Sequence, residues 1–130
     1  MSDHKEFIKL PESELEIMEA IWALYEEGEK GITATMVVKH FPTLNRLKLT
    51  TVLTLINRLA AKGFVTIEKI GRSNCYTPVV DVHAYRRFIA GDFVHRAFLD
   101  DPMELLLEVI RTSDLSEMDI ADLKAALDAK

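Results

Sequence analysis

Apolar residues return every three or four positions along most of this chain, and one short stretch breaks that rhythm. The first helical run opens at Leu10-Pro11-Glu12-Ser13. Leu15, Met18, Ile21 and Trp22 fall on one face, and Ile17 and Leu24 widen the stripe. Pro11 suits a first helical turn, and Ser13 with Glu16 has the spacing of a capping box. Glu12, Glu14, Glu16 and Glu19 gather near the positive end of that helix. The run stops near Gly28. Thr33 is placed to cap a short second helix, Ala34 to Phe41, with Met36, Val37 and His40 or Phe41 turned inward; Pro42 ends it. After a polar connector from Thr43 to Lys48, Val52, Leu55, Ile56 and Leu59 form the buried stripe of a third helix, from about Leu49 to Lys62, with Gly63 as its stop.

The break comes next. Phe64 to Ile70 reads as a strand, Gly71-Arg72-Ser73-Asn74 as a turn, and Cys75-Tyr76-Thr77 as the return strand, closed by Pro78. Three helices followed by a hairpin is the layout of a winged helix, in which the third helix reads and the hairpin is the wing. From Asp81 onward the pattern is helical again. One helix runs from about Val82 to Leu99. Asp101-Pro102 with Glu104 opens a second, to about Arg111, and Ser116 with Asp119 caps a third. These short helices carry more large apolar groups than so thin a layer can bury, which points to a subunit interface. Its expected members are Tyr85, Phe88, Ile89, Phe93, Phe98, Leu106, Ile110, Leu123 and Leu127. The competing reading folds these helices back on the N-terminal domain. The expected organisation is a flexible tail over 1–9, a winged helix-turn-helix domain over 10–80 and a helical dimerisation segment over 81–130. The fold class is mainly α with a small β-hairpin.

Charge changes this picture through its distribution. The net charge of −5 argues against a nucleic-acid partner, but residues 31–80 hold seven basic side chains and only one acid, Glu68. A phosphate backbone responds to the local block, because salt screens charges more than about 8 Å apart. The polar face of the third helix carries Thr50, Thr51, Thr54 and Asn57 and has no acid. Threonine can offer its hydroxyl to base edges and its methyl to thymine, so these four are the expected base readers of a major groove. Thr50 is equally placed to cap the helix, and Arg58 to pair with a glutamate of the first helix. Arg46, Lys48, Arg58, Lys69, Arg72 and Ser73 are the expected phosphate contacts, the last three at the wing tip, where Gly71 supplies the tight turn.

The residues that carry a family resemblance lie along nearly the whole chain. They are Leu10-Pro11-Glu12-Ser13-Glu14-Leu15-Glu16-Ile17-Met18 with Trp22, Thr50-Thr51-Val52-Leu53-Thr54, Asn57-Arg58-Leu59 with Lys62-Gly63, Gly71-Arg72, and Tyr76-Thr77-Pro78. The chain resembles the penicillinase repressor family over residues 10–128, with Asp114-Leu115-Ser116 and Leu123 similar to its last helix. The resemblance implies a homodimer that binds a palindromic operator in double-stranded DNA and represses genes for antibiotic resistance or metal handling. Its antibiotic-responsive branch adds a membrane sensor protease as partner. The chain departs from both branches. It lacks the C-terminal cysteine-rich motif of the copper-responsive branch, having no cysteine in its last 55 residues. Where the protease-responsive branch is cut between Asn and Phe, it has Glu108-Val109.

Other classes find little support. Cys75 and His83 lack any accompanying catalytic motif, and His4, His40, His83 and His95 have no metal-ligand spacing. No catalytic residue, metal or cofactor is therefore expected. No stretch approaches the roughly 18 apolar residues of a membrane span, and MSDHKEF has no apolar signal core, so the expected location is the cytoplasm, without membrane insertion. The serious alternative is a winged helix that binds protein rather than DNA, favoured by the acidic total and the acidic first helix.

Overall fold

A computed structural model describes residues 7–130; most of the tail expected over 1–9 lies outside the described residues. The elements are α1 (Glu12–Glu26), α2 (Ala34–His40), a 3-10 turn (Pro42–Arg46), α3 (Leu49–Ala61), β1 (Val65–Ile70), β2 (Ser73–Pro78), α4 (Val82–Ala97), α5 (Pro102–Thr112) and α6 (Glu117–Asp128). This is a winged helix-turn-helix followed by C-terminal helices. The chain forms two compact units, divided between Phe88 and Ile89 within α4. Among the described residues no helix is long and apolar enough to cross a membrane.

The core of the first unit is built from the stripes of α1 and α3. Ile17, Met18 and Ile21 of α1, Val52, Ile56 and Leu59 of α3, Val37 of α2 and Leu44 of the 3-10 turn are all fully buried, and α1 packs against both α3 and α2. The connector expected between α2 and α3 is thus partly core, because Leu44 is driven inward while its neighbours stay in water. Not every cap expected from the sequence forms. Thr33 caps α2 as expected, its hydroxyl accepting the Met36 N–H at 3.2 Å. The capping box expected of Ser13 and Glu16 does not form: α1 begins two residues earlier, Pro11 is its N-cap, and no side chain caps it. Thr50 does not cap α3 either, whose N-cap is Lys48, again without a side-chain bond.

Helix α3 ends in a Schellman arrangement. Gly63 takes φ +82, its N–H reaches the Ala60 carbonyl, and the Phe64 N–H reaches the Leu59 carbonyl at 2.9 Å. Phe64 and Leu59, both buried, are the apolar pair that accompanies this motif. The chain then enters β1, antiparallel to β2 with Ile70 opposite Ser73. The wing turn is therefore only Gly71-Arg72, tighter than expected, and Ser73 and Asn74 belong to the strand. Gly71 has φ +64 and Arg72 does not, the pattern of a type II′ hairpin turn. The Tyr76 N–H also donates to the Ile32 carbonyl at 2.8 Å, a one-residue bridge that ties the wing to the segment before α2. Burial, with the neighbouring Cys75 as a smaller cause, pushes the Tyr76 hydroxyl above its ordinary pKa.

Tyr85 corrects an expectation. Its place in the apolar pattern of α4 points to a subunit interface, yet it is 2% exposed in the core of the first unit. Its ring packs against Trp22 and Phe64 with centroids 5.6 Å from each, and its hydroxyl accepts the buried Leu10 N–H at 2.8 Å. Trp22 in turn donates from Nε1 to the Val80 carbonyl at 2.9 Å. The first turns of α4 are thus part of the winged-helix core. Phe88 is half-buried, at 6.3 Å from Tyr85 and 5.7 Å from Phe7.

The second unit, Ile89–Lys130, holds the end of α4 with α5 and α6. Asp101 caps α5, and Ser116 with Asp119 forms a complete capping box on α6, as the spacing predicts. No residue of this unit is buried.

Candidate nucleic-acid interface

Helix α3 presents two opposite faces. Val52, Leu55, Ile56 and Leu59 point into the core, and Thr50, Thr51, Thr54, Asn57 and Arg58 are all exposed. The fold thus brings the four expected readers to one solvent face. The N-terminal half of α3 also borders the wing: Leu49 and Leu53 share a cleft of about 180 Å³ with Ser73 and Asn74 and with Thr33 and Thr35 of the α2 entry. Thr54 carries a constraint that the sequence does not reveal. Its hydroxyl donates back to the Thr50 carbonyl at 3.0 Å. The proton is spent within the helix, so only the oxygen lone pairs and the methyl are left for an external partner.

Around this face the cations sort into two sets. Arg46 and Lys62 are tied to acids of α1. Arg46 donates to both oxygens of Glu16, at 3.0 and 3.1 Å, and to the Thr43 carbonyl at 2.6 Å. Lys62 pairs with Glu14, a carboxylate only 3% exposed. Lys39, Lys48, Arg58, Lys69 and Arg72 are exposed and form no ion pair among the described residues. The pairing expected between Arg58 and α1 does not occur; Arg46 and Lys62 take that role. Arg46, expected to contact phosphate, thus already has two partners within the chain, Glu16 and the Thr43 carbonyl. A third link joins Glu19 of α1 to Arg86 of α4 at 2.9 Å. The acidic row on α1, which favoured a protein-binding surface, is largely consumed inside the molecule.

Among the described residues no group of three or more histidine, cysteine or acidic side chains is arranged to hold a metal. Cys75 is buried in β2.

A family model described as penicillinase repressor matches residues 10–129. The chain belongs to the penicillinase repressor family. The penicillinase repressor of Bacillus licheniformis is 26% identical over 124 residues, which cover 95% of this chain and 93% of that protein. The methicillin resistance regulatory protein MecI of Staphylococcus aureus is 24% identical over 128 residues, covering 98% and 99%. An uncharacterised 16.5 kDa protein of Latilactobacillus sakei is 30% identical over 119 residues, covering 91% and 77%. These matches run through the winged helix and the C-terminal helices together, so membership of this family of transcriptional repressors rests on both units.

The expected interface residues of the second unit fall into two groups. Phe93 and Phe98 pack with their rings tilted by 59° and centroids 5.7 Å apart, Phe93 exposed and Phe98 half-buried. Leu106, Ile110 and Leu123 line an apolar groove of about 360 Å³ between α5 and α6, together with Val109 and Leu115. Leu127 is exposed outside that groove and Ile89 is half-buried. The sequence reading missed Met103, Leu107 and Leu99, which are also exposed. Leu99 stands 86% clear in a turn where it and Asp100 both take positive φ.

Proposed function

We propose that this protein is a sequence-specific DNA-binding repressor that acts in the cytoplasm as a homodimer on a palindromic operator. One observation carries the reading. The solvent face of α3 is short-chained and free of acids, and five exposed cations without an ion pair among the described residues lie on α2, at the start of α3, on α3 and in the wing. Thr50, Thr51, Thr54 and Asn57 meet base edges in a major groove about 12 Å wide. Lys48 and Arg58 meet phosphates at the groove walls, and Lys69, Arg72 and Ser73 at the wing. Such contacts set register and affinity, while sequence is read by the helix.

The dimer follows from two supports. One reader helix spans a few base pairs, and adequate specificity needs a second, with half-sites about 34–36 Å apart or a multiple of that. The second unit leaves every large apolar side chain at least partly in water, a state that burial against a second copy relieves. Nothing in this reading requires catalysis or a cofactor. A membrane sensor protease as inducing partner would have to cut at Glu108-Val109, inside α5, so that helix would first have to open locally. The alternative, a winged helix that binds protein, loses its main support once Glu14, Glu16 and Glu19 are paired internally.

The test is fluorescence anisotropy with the duplex upstream of this protein's own gene against a scrambled duplex, across a salt series. Preference for the upstream duplex by a factor of about 10³ or more is the expected result. Absence of binding to either duplex at low salt would overturn the DNA reading and promote the protein-binding module.

A further inference from the structure

The start of the reading helix is held in an unusual way. Helix α3 has no side-chain cap, and Leu47 and Lys48 lead into it in extended conformation. Local chemistry therefore does not set where its first turn begins, and that turn carries Thr50 and Thr51. What holds the approach is tertiary. Leu44, 1% exposed, anchors the 3-10 turn in the core, and Nη2 of Arg46 at the end of that turn donates to both carboxylate oxygens of Glu16 of α1. The planar guanidinium also donates to Thr43 in its own turn. It thus joins three points: α1, the beginning of the turn and its end. At the other end of α3, Lys62 is tied to the same helix through Glu14.

We infer that Glu16 and Arg46 are positioning residues for DNA reading: the Glu16–Arg46 pair fixes the turn that aims the first residues of α3, and Arg46 does not serve as a phosphate contact. The inference rests on the DNA-binding reading above. It is chemically specific, because two nitrogens of one rigid, planar guanidinium are engaged at once, Nη2 on the Glu16 carboxylate and Nη1 on the Thr43 carbonyl, which fixes the direction of one partner relative to the other. It is also separable from a merely structural role. Both side chains are partly open to solvent, 54% for Arg46 and 34% for Glu16, and an exposed pair of this kind contributes little to stability. Its loss should be felt in aim more than in folding.

The two possible roles of Arg46 make opposite predictions for its partner. If Arg46 positions α3, removing Glu16 does the same harm as removing Arg46. If Arg46 neutralises a phosphate and Glu16 merely competes for it, removing Glu16 releases the cation and tightens binding to any DNA.

The experiment uses the full chain and the duplex that the wild-type protein enriches from a random library, with a scrambled duplex as control. Glu16→Gln, Arg46→Gln and the double variant are compared with wild type for affinity to both duplexes, salt slope and Tm. The expected result is that each single variant lowers the ratio of specific to scrambled affinity by about tenfold, the worth of one good base contact. The double variant should lose no more than either single one, since the two act as one unit. Tm and the salt slope should stay close to wild type. Glu16→Gln tightening binding to both duplexes, while Arg46→Gln flattens the salt slope by about 0.9, would overturn the proposal. So would an unchanged specificity ratio, or additive losses in the double variant. Failure of the wild-type protein to enrich any duplex would instead remove the repressor reading itself, and this inference with it.

Discussion

The ammonium group of Lys62 is bound to the carboxylate of Glu14, the one charged side chain that is buried among the described residues. The pair joins the residue that caps the C-terminus of α3 to the first turn of α1. Its asymmetry matters: the lysine side chain is 27% exposed and the glutamate only 4%. Removing the lysine leaves a carboxylate that has lost both water and partner.

Lys62→Met should therefore destabilise the protein by about 2 kcal/mol, less than a fully buried pair would cost because solvent still reaches this site. Replacing both partners with methionine should recover at least half of that loss, since no buried charge then remains. Urea denaturation of the two variants measures it. A double variant as unstable as Lys62→Met would show that the cost comes from packing rather than from the stranded charge.

The hydroxyl of Tyr85 carries a second prediction. Tyr85→Phe keeps the ring against Trp22 and Phe64 but removes the acceptor for the buried Leu10 N–H. An unmet buried donor of this kind costs about 1–3 kcal/mol. Denaturation should register that loss, and sedimentation should show an unchanged association state. Weaker self-association with unaltered stability would return Tyr85 to a subunit interface.

The contrast between what was legible in the sequence and what was not follows the range of each interaction. The caps on α2, α5 and α6 were readable because Thr33, Asp101 and Ser116 each accept an N–H only three residues on. The stripes of α1 and α3 were readable because periodicity reports which face is buried. Periodicity does not report against what. Tyr85 and Phe93 lie on one continuous apolar pattern in α4, yet one is core and the other half-open to water. The acids of α1 supported a protein-binding surface because their partners, 30, 48 and 67 positions away, are not visible in local spacing. Leu44 was hidden for the opposite reason: a single buried residue in a polar run has no period. The reading face of α3 was legible as a whole, but not the bond that ties up the Thr54 proton, which depends on side-chain rotamer rather than spacing.

That bond makes the role of Thr54 testable. With its proton committed to the Thr50 carbonyl, the methyl is the group most able to discriminate, by contact with the thymine methyl. Thr54→Val, which keeps a methyl on the same side, should preserve the preference for thymine at the contacted position. Thr54→Ser, which keeps the hydroxyl alone, should lose it. Selection from a randomised operator library reads both outcomes. The reverse pattern would assign recognition to the oxygen as an acceptor.

Arg72 occupies the second position of the two-residue wing turn, exposed and without an ion pair among the described residues. As a phosphate contact it supplies affinity without sequence information. Arg72→Ala should weaken binding to specific and scrambled duplexes alike and reduce the log–log salt slope by about 0.9 per phosphate lost. A dimer makes the contact twice, so the whole complex should lose about 1.8. A slope that does not change would take the wing off the DNA backbone.

The second unit offers the sharpest test of assembly. Leu123 lines the α5–α6 groove while remaining 38% exposed, so a charged side chain there meets no core within its own chain. Leu123→Glu should leave the thermal unfolding of the winged helix unaltered. In a dimer the same carboxylate is forced against apolar groups of a second copy, where an unpaired charge is poorly tolerated. Sedimentation at micromolar concentration should then show a single 14.8 kDa species in place of a dimer. Operator affinity should fall toward that of one reader helix, because the linkage that makes the second half-site contact intramolecular is gone. If the wild-type chain already sediments at 14.8 kDa, the exposed groove serves another partner and the two-half-site mechanism fails.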